Sequence, residues 1–196
     1  MLKKFISLIL LQQVLNGCAG ILPLSVAGAA VFVSDERSVG KMIDDKMISS
    51  KINSDFAQKA NGHMFLSITV NVLEGRVMLT GSVASRECID DAVKTAWSTK
   101  GVREVINELK VELKSMKHSA NDTLIEKAID GRLLIEKKLI STNYKISVNN
   151  NVVYILGIAQ NQNEMDRALY IARNAKGVEK VINYIILKTD IRRGVN

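Results

Sequence analysis

The chain contains one stretch written twice. Sliding it by 76 residues lays Leu66–Val111 on Thr142–Leu187 without a gap. Val72 falls on Val148, Val77 on Val153, Gly81 on Gly157, Asp90 on Asp166, Ala92 on Ala168 and Ala96 on Ala172. Lys100-Gly101-Val102 matches Lys176-Gly177-Val178, and Val105-Ile106-Asn107 matches Val181-Ile182-Asn183. Upstream, Ile48, Ile52 and Phe56 match Ile125, Ile129 and Leu133 with a shift of 77, so one loop differs by a residue. The matches fall on apolar and glycine positions, which define a small core. The chain must therefore build one module twice. At roughly 70 residues, each module is near the practical limit for an independent core, so mutual packing is expected.

Each copy reads as αββαβ. Ile48, Ile52 and Phe56 recur at i, i+4, i+8, as do Ile125, Ile129 and Leu133, and predict a helix. Asp44 or Asp45 is the expected cap of the first helix and Asn121 that of the second. Ile68, Val70 and Val72 alternate before Glu74-Gly75, and Val77, Leu79 and Val83 follow, a hairpin pattern. Asn149-Asn150-Asn151 makes the corresponding turn, because asparagine tolerates positive φ. A second helix buries Ile89, Ala92, Val93 and Ala96, or Met165, Ala168, Leu169 and Ala172. Gly101 and Gly177 follow it where a left-handed residue is wanted. A last strand closes each copy. The fold class is α+β: two tandem modules, each a three-stranded mixed sheet with two helices on one face.

The N-terminus reads as an address. Lys3 and Lys4 precede the apolar run Phe5–Leu11, and Leu15-Asn16-Gly17-Cys18 has the form of a lipobox. The run is too short to span a bilayer, so a cleaved signal peptide with lipidation at Cys18 is expected. Ordinary secretion or retention is the alternative. Ile21–Val33 is apolar again but broken by Pro23 and Gly28, and reads as a tether.

The copies differ in charge. From Cys18 to Ser115 twelve Lys/Arg balance twelve Asp/Glu, whereas from Met116 to Asn196 thirteen face eight. The excess of +5 lies in the second copy, where basic residues attract anionic lipid headgroups. Its first helix places Leu124, Ala128, Gly131 and Ile135 about a third of a turn from the core stripe, flanked by Lys127, Arg132, Lys137 and Lys138. Apolar residues beside a basic fringe suit an interfacial helix. Packing against the neighbouring module is the competing reading.

The sheets differ as well. The first outer face carries Arg76, Thr80, Ser82, Glu108, Lys110 and Glu112 and is expected to meet water. The second carries Val152, Tyr154, Leu156, Ile158, Ile182, Tyr184 and Ile186. A sheet apolar on both faces must be covered, by the first module, the tether or a partner. The first module is the expected cover.

No phosphate-binding glycine loop and no Ser-His-Asp or Cys-His arrangement stands out. His63 and His118 read as solvated and Cys88 as incidental. No catalytic residue, metal, cofactor or small-molecule substrate is expected. Few aromatics and no Gly-x-x-Gly clamp argue against nucleic acid.

The αββαβ repeat, the glycine in the second strand (Leu79-Thr80-Gly81; Ile155-Leu156-Gly157) and Gly-Val-x-x-Val-x-Asn at Gly101–Asn107 and Gly177–Asn183 resemble the BON domain. Two such domains behind a lipobox are similar to dual-BON outer-membrane lipoproteins. The resemblance implies a non-enzymatic, periplasm-facing protein that binds phospholipid and supports envelope integrity. The division expected is 1–17 signal peptide, 18–38 lipidated tether, 39–115 and 116–190 BON domains, and 191–196 tail. The expected site is an anionic phospholipid membrane surface at Leu124, Lys127, Ala128, Gly131, Arg132 and Ile135. The alternative is an envelope scaffold, binding another protein through the second sheet or the interdomain junction.

Overall fold

The computed structural model describes residues 39–59, 67–112 and 116–193. The expected signal peptide, Cys18, the tether and His63 lie outside them, as does the side chain of His118. The first module runs α1 (Val39–Gln58), β1 (Ile68–Leu73), β2 (Arg76–Val83), α2 (Arg86–Ser98) and β3 (Glu104–Val111). The second runs α3 (Met116–Ile135), β4 (Tyr144–Asn149), β5 (Val152–Ala159), α4 (Gln162–Arg173) and β6 (Lys180–Leu187). Single 3-10 turns at Ser141–Asn143 and Ile191–Arg193 complete the order. In each sheet the middle strand pairs antiparallel with its hairpin partner and parallel with the last strand. Both modules are thus α+β with mixed three-stranded sheets, the crossover helix being what permits the parallel pair.

Both hairpins turn through two residues of positive φ: Glu74 (50°) and Gly75 (71°), then Asn150 (50°) and Asn151 (61°). Such turns match the right-handed twist of the strands. Neither turn stands alone. The Asp45 carboxylate accepts hydrogen bonds from the Glu74 and Gly75 N–H groups at 2.8 and 2.9 Å. Asp122, its equivalent, accepts from Asn150 and Asn151, each at 2.9 Å. This corrects the expected caps. Asp45 and Asn121 lie inside α1 and α3, which begin at Val39 and Met116. Asp45, and Asp122 next to the expected Asn121, fasten a distant hairpin instead of closing their own helix.

The inner faces of sheet and helices form two equivalent cores. In the first, Ile48, Ile52 and Phe56 of α1 and Ile89, Ala92 and Ala96 of α2 cover Val72, Val77, Leu79 and Leu109. In the second, Ile125, Ile129 and Leu133 of α3 and Ala168, Leu169 and Ala172 of α4 cover Val148, Val153, Ile155 and Ile185. Gly81 has φ of 123°, and a Cβ there would lie 2.0 Å from the Ser67 carbonyl oxygen. Only glycine permits that close approach of β2 to the start of β1.

A third core lies between the sheets. Tyr154, Leu156, Ile158 and Ile186, with Val152, Ile182 and Tyr184 at the margin, pack against Leu73, Met78 and Ile106 of the first sheet. The first sheet's outer face is therefore wet only along β3 and just past its end, where Lys110 and Glu112 stay exposed and Glu108 is half-buried. Arg76, Thr80 and Ser82 are buried, contrary to the expectation that they meet water. Met78, on the same face, supplies the apolar complement that the polar residues obscured. The polar groups are matched across the junction: Thr80 Oγ1 to Ser147 Oγ at 2.5 Å, and Asn149 Nδ2 to Ser82 Oγ at 3.2 Å. Arg76 pairs with Glu104 at 2.6 Å and donates to the Tyr184 carbonyl at 3.1 Å. Buried polar groups tolerate a dry interface when paired in this way. The compact unit Asp35–Asn196 contains all three cores.

Candidate functional site

With the outer sheet faces buried on each other, the helices form the accessible layers. The core stripe of α3 leaves a wide exposed strip. Leu124, Leu134 and Ile135 are 70, 73 and 77% exposed. Ala128 and Gly131 lie between them and are exposed too. A Cβ built on Gly131 meets nothing within 4 Å, so this strip faces open space rather than a neighbouring element. Leu134 was missed from sequence. It follows the core residue Leu133 directly, and the i, i+4, i+7, i+11 series from Leu124 to Ile135 steps over it.

The charged fringe divides into two kinds. Lys127 is exposed and lies 3.8 Å from Glu126 and 3.7 Å from Asp130 on its own helix. Exposed pairs of this sort are weak and leave the ammonium group available. Arg132 instead leans toward α4 and donates to the Asn174 carbonyl at 2.9 Å. Burial, with the nearby Asp130 charge, pushes the Glu126 carboxyl above its ordinary value despite Lys127.

The second group of sequence-expected residues is placed differently. Tyr154, Leu156 and Ile186 are buried, and Val152, Ile182 and Tyr184 are partly buried, all in the intersheet core. Desolvation and the nearby Glu108 and Glu112 charges push the Tyr154 phenol up to about 12. The Tyr184 hydroxyl donates to Glu108. These six residues serve the junction within this chain. The two groups do not meet, since one lies on a helix and the other beneath the sheet.

Cys88 is buried, with Sγ 3.3 Å from the N-cap hydroxyl of Ser85. Its counterpart Glu164 accepts from the Gln160 N–H at 2.9 Å, the Ile140 N–H at 3.2 Å and the Tyr144 hydroxyl at 2.9 Å. The same position is thus a small hydrophobe in one module and a satisfied carboxylate in the other. Among the described residues, no cluster of His, Cys, Asp or Glu could hold a metal ion, and no helix is long and apolar enough to cross a membrane.

Comparison with known proteins agrees with the repeat. The BON domain model matches residues 44–112 and again 121–189. The chain is 40% identical over 148 residues to an uncharacterised protein from the gshII 5′ region of Anaplasma centrale, covering 74% of this chain and 96% of that one. It is 29% identical over 182 residues to the outer membrane lipoprotein DolP of Haemophilus influenzae, covering 92% and 94%. It is 31% identical over 153 residues to osmotically-inducible protein Y of Escherichia coli, covering 76% of each. The two matched segments are the two αββαβ modules, and the chain belongs to the BON family as a dual-BON-domain, DolP-like protein.

Proposed function

We propose that this chain is a non-enzymatic lipoprotein of the bacterial outer membrane, anchored through Cys18 and facing the periplasm. There it binds anionic phospholipid membrane through its second BON domain and supports outer-membrane integrity. Similarity to an outer membrane lipoprotein along nearly the whole chain supports the location. The observation that carries the binding mode is the exposed strip Leu124, Ala128, Gly131, Leu134 and Ile135 beside Lys127. Burying one such leucine or isoleucine contributes about 2 kcal/mol, and each basic residue near an anionic surface about 1 kcal/mol. The sum is enough for reversible attachment that reinforces a lipid anchor.

The scaffold alternative has less support through the second sheet, because the first sheet already covers it. The test is co-sedimentation of the unit Asp35–Asn196 with anionic and zwitterionic vesicles. Binding to anionic vesicles alone, lost in Leu124→Asp and in Lys127→Glu, is the expected result. Absence of binding to either vesicle removes the lipid reading and turns attention to protein partners. Mass spectrometry of the mature N-terminus tests lipidation at Cys18.

A further inference from the structure

A groove of about 540 Å³ lies where the C-terminal end of α3 passes α4. It overlaps the strip that carries the proposed function at Ile135 and adds to it Lys137, Lys138, Arg167 and Tyr170. Four cations line it, Arg132, Lys137, Lys138 and Arg167, against one carboxylate, Glu136. That carboxylate is engaged: Glu136 accepts from Arg167 Nε at 2.6 Å and from the Lys138 backbone N–H at 3.1 Å. The arginines are held in place before any ligand arrives. Arg167 lies 5.3 Å above the Tyr170 ring, and Arg132 is tied to the Asn174 carbonyl. The walls are apolar, with Ile135 on one side and Tyr170 on the other, both exposed.

We propose that this groove seats the phosphate of an anionic phospholipid headgroup. Excess positive charge, with guanidinium groups fixed in advance, suits a phosphodiester. The volume falls within the range of small-ligand sites. An exposed tyrosine, with Leu134 and Ile135, is what a membrane interface accepts and what a free anion has no use for. The source is therefore lipid rather than soluble phosphate. The inference rests on the membrane reading and adds to it a defined headgroup position, distinct from the Leu124–Lys127 end of the helix.

The test uses the unit Asp35–Asn196 and phosphatidylcholine vesicles doped with phosphatidylglycerol. Lys137→Gln with Lys138→Gln is expected to weaken binding about 30-fold, from about 1 kcal/mol per basic residue. Tyr170→Ala is expected to weaken it further. The control is Lys180→Gln with Lys188→Gln, two exposed lysines at the ends of β6, which removes the same charge away from the groove. It is expected to change binding less than threefold. Equal weakening by both pairs means diffuse attraction and overturns the groove while leaving the membrane reading intact. Wild-type protein that ignores the vesicles overturns both. Inorganic phosphate that shifts the groove's NMR signals, in a protein without vesicle binding, overturns the lipid source.

Discussion

The Tyr184 hydroxyl on β6 donates to the Glu108 carboxylate on β3, and the two residues hold the same position in the two repeats, 76 apart. Equivalent positions meeting at one point give the junction an approximate two-fold relationship, as in a homodimer whose subunits were joined. Here the pair has diverged into a donor and an acceptor. Tyr184→Phe leaves Glu108 with the longer 4.0 Å contact to Lys110. A loss of about 1–3 kcal/mol in urea unfolding is expected. A double-mutant cycle with Glu108→Gln checks it, and additive losses contradict a direct coupling.

Alkaline pH attacks the same interface through Tyr154 and Tyr184, and the core of the second module through Tyr144. Burial first, then nearby glutamates, raises the phenols of Tyr144, Tyr154 and Tyr184, with Tyr154 reaching about 12. Above the ordinary value near 10 the unfolded chain releases these protons while the folded chain keeps them, so stability falls as pH rises. Each phenol contributes a slope of about 1.4 kcal/mol per pH unit in that window. Denaturant midpoints measured from pH 9 to 11 are expected to drop steeply, and less so in the Tyr154→Phe, Tyr184→Phe variant. An identical profile in that variant contradicts the assignment.

The segment read as a tail contributes to the first module. Arg193 donates to the nearly buried Glu74 carboxylate at 2.8 and 3.0 Å, and Lys41 adds a 3.4 Å contact. Burial raises the Glu74 carboxyl, but Arg193 and Lys41 outweigh it and hold it below the ordinary range. A depressed carboxyl contributes stability above its unfolded value near 4.5 and loses it as pH falls through the folded value. Arg193→Ala is expected to cost about 2–4 kcal/mol at neutral pH. The difference from wild type should shrink at acid pH, where Glu74 is protonated in both. A constant difference across pH would place the effect elsewhere.

Asp45→Ala and Asp122→Ala each deprive a tight turn of two hydrogen bonds. A loss of about 2–4 kcal/mol is expected for either, with faster amide exchange at Glu74 and Gly75 or at Asn150 and Asn151. Stability loss without faster exchange at those amides would refute the turn-fastening role.

Gly131 behaves oppositely. No atom obstructs a side chain there, so Gly131→Ala is expected to stabilise α3 by about 1 kcal/mol. Gly131→Leu adds apolar area to the strip and is expected to tighten binding to anionic vesicles. Unchanged vesicle affinity in a folded Gly131→Leu protein counts against membrane contact at this face.

Much of this molecule is local and therefore legible. The inner faces of β2 and β5 alternate because a strand has period two, and Ile125, Ile129 and Leu133 recur because a helix has period 3.6. Two copies of each pattern made the modules readable with no template. The aspartates were misread for a local reason: an acid near a helix start is usually a cap, and the turn that captures Asp45 lies 29 residues away. Leu134 falls outside the series from Leu124 to Ile135 and so carried no periodic signal of its own.

By itself the sequence determined the two αββαβ modules, their cores and the concentration of positive charge in the second. Those depend on hydrophobic period, turn chemistry and composition, which are properties of short segments. Only the tertiary structure decided that Arg76, Thr80 and Ser82 are buried, that Glu74 meets Arg193, and that four cations converge between α3 and α4. A polar face looks wet until a partner with matching hydrogen-bond groups is placed against it, and that match joins residues 67 or more positions apart.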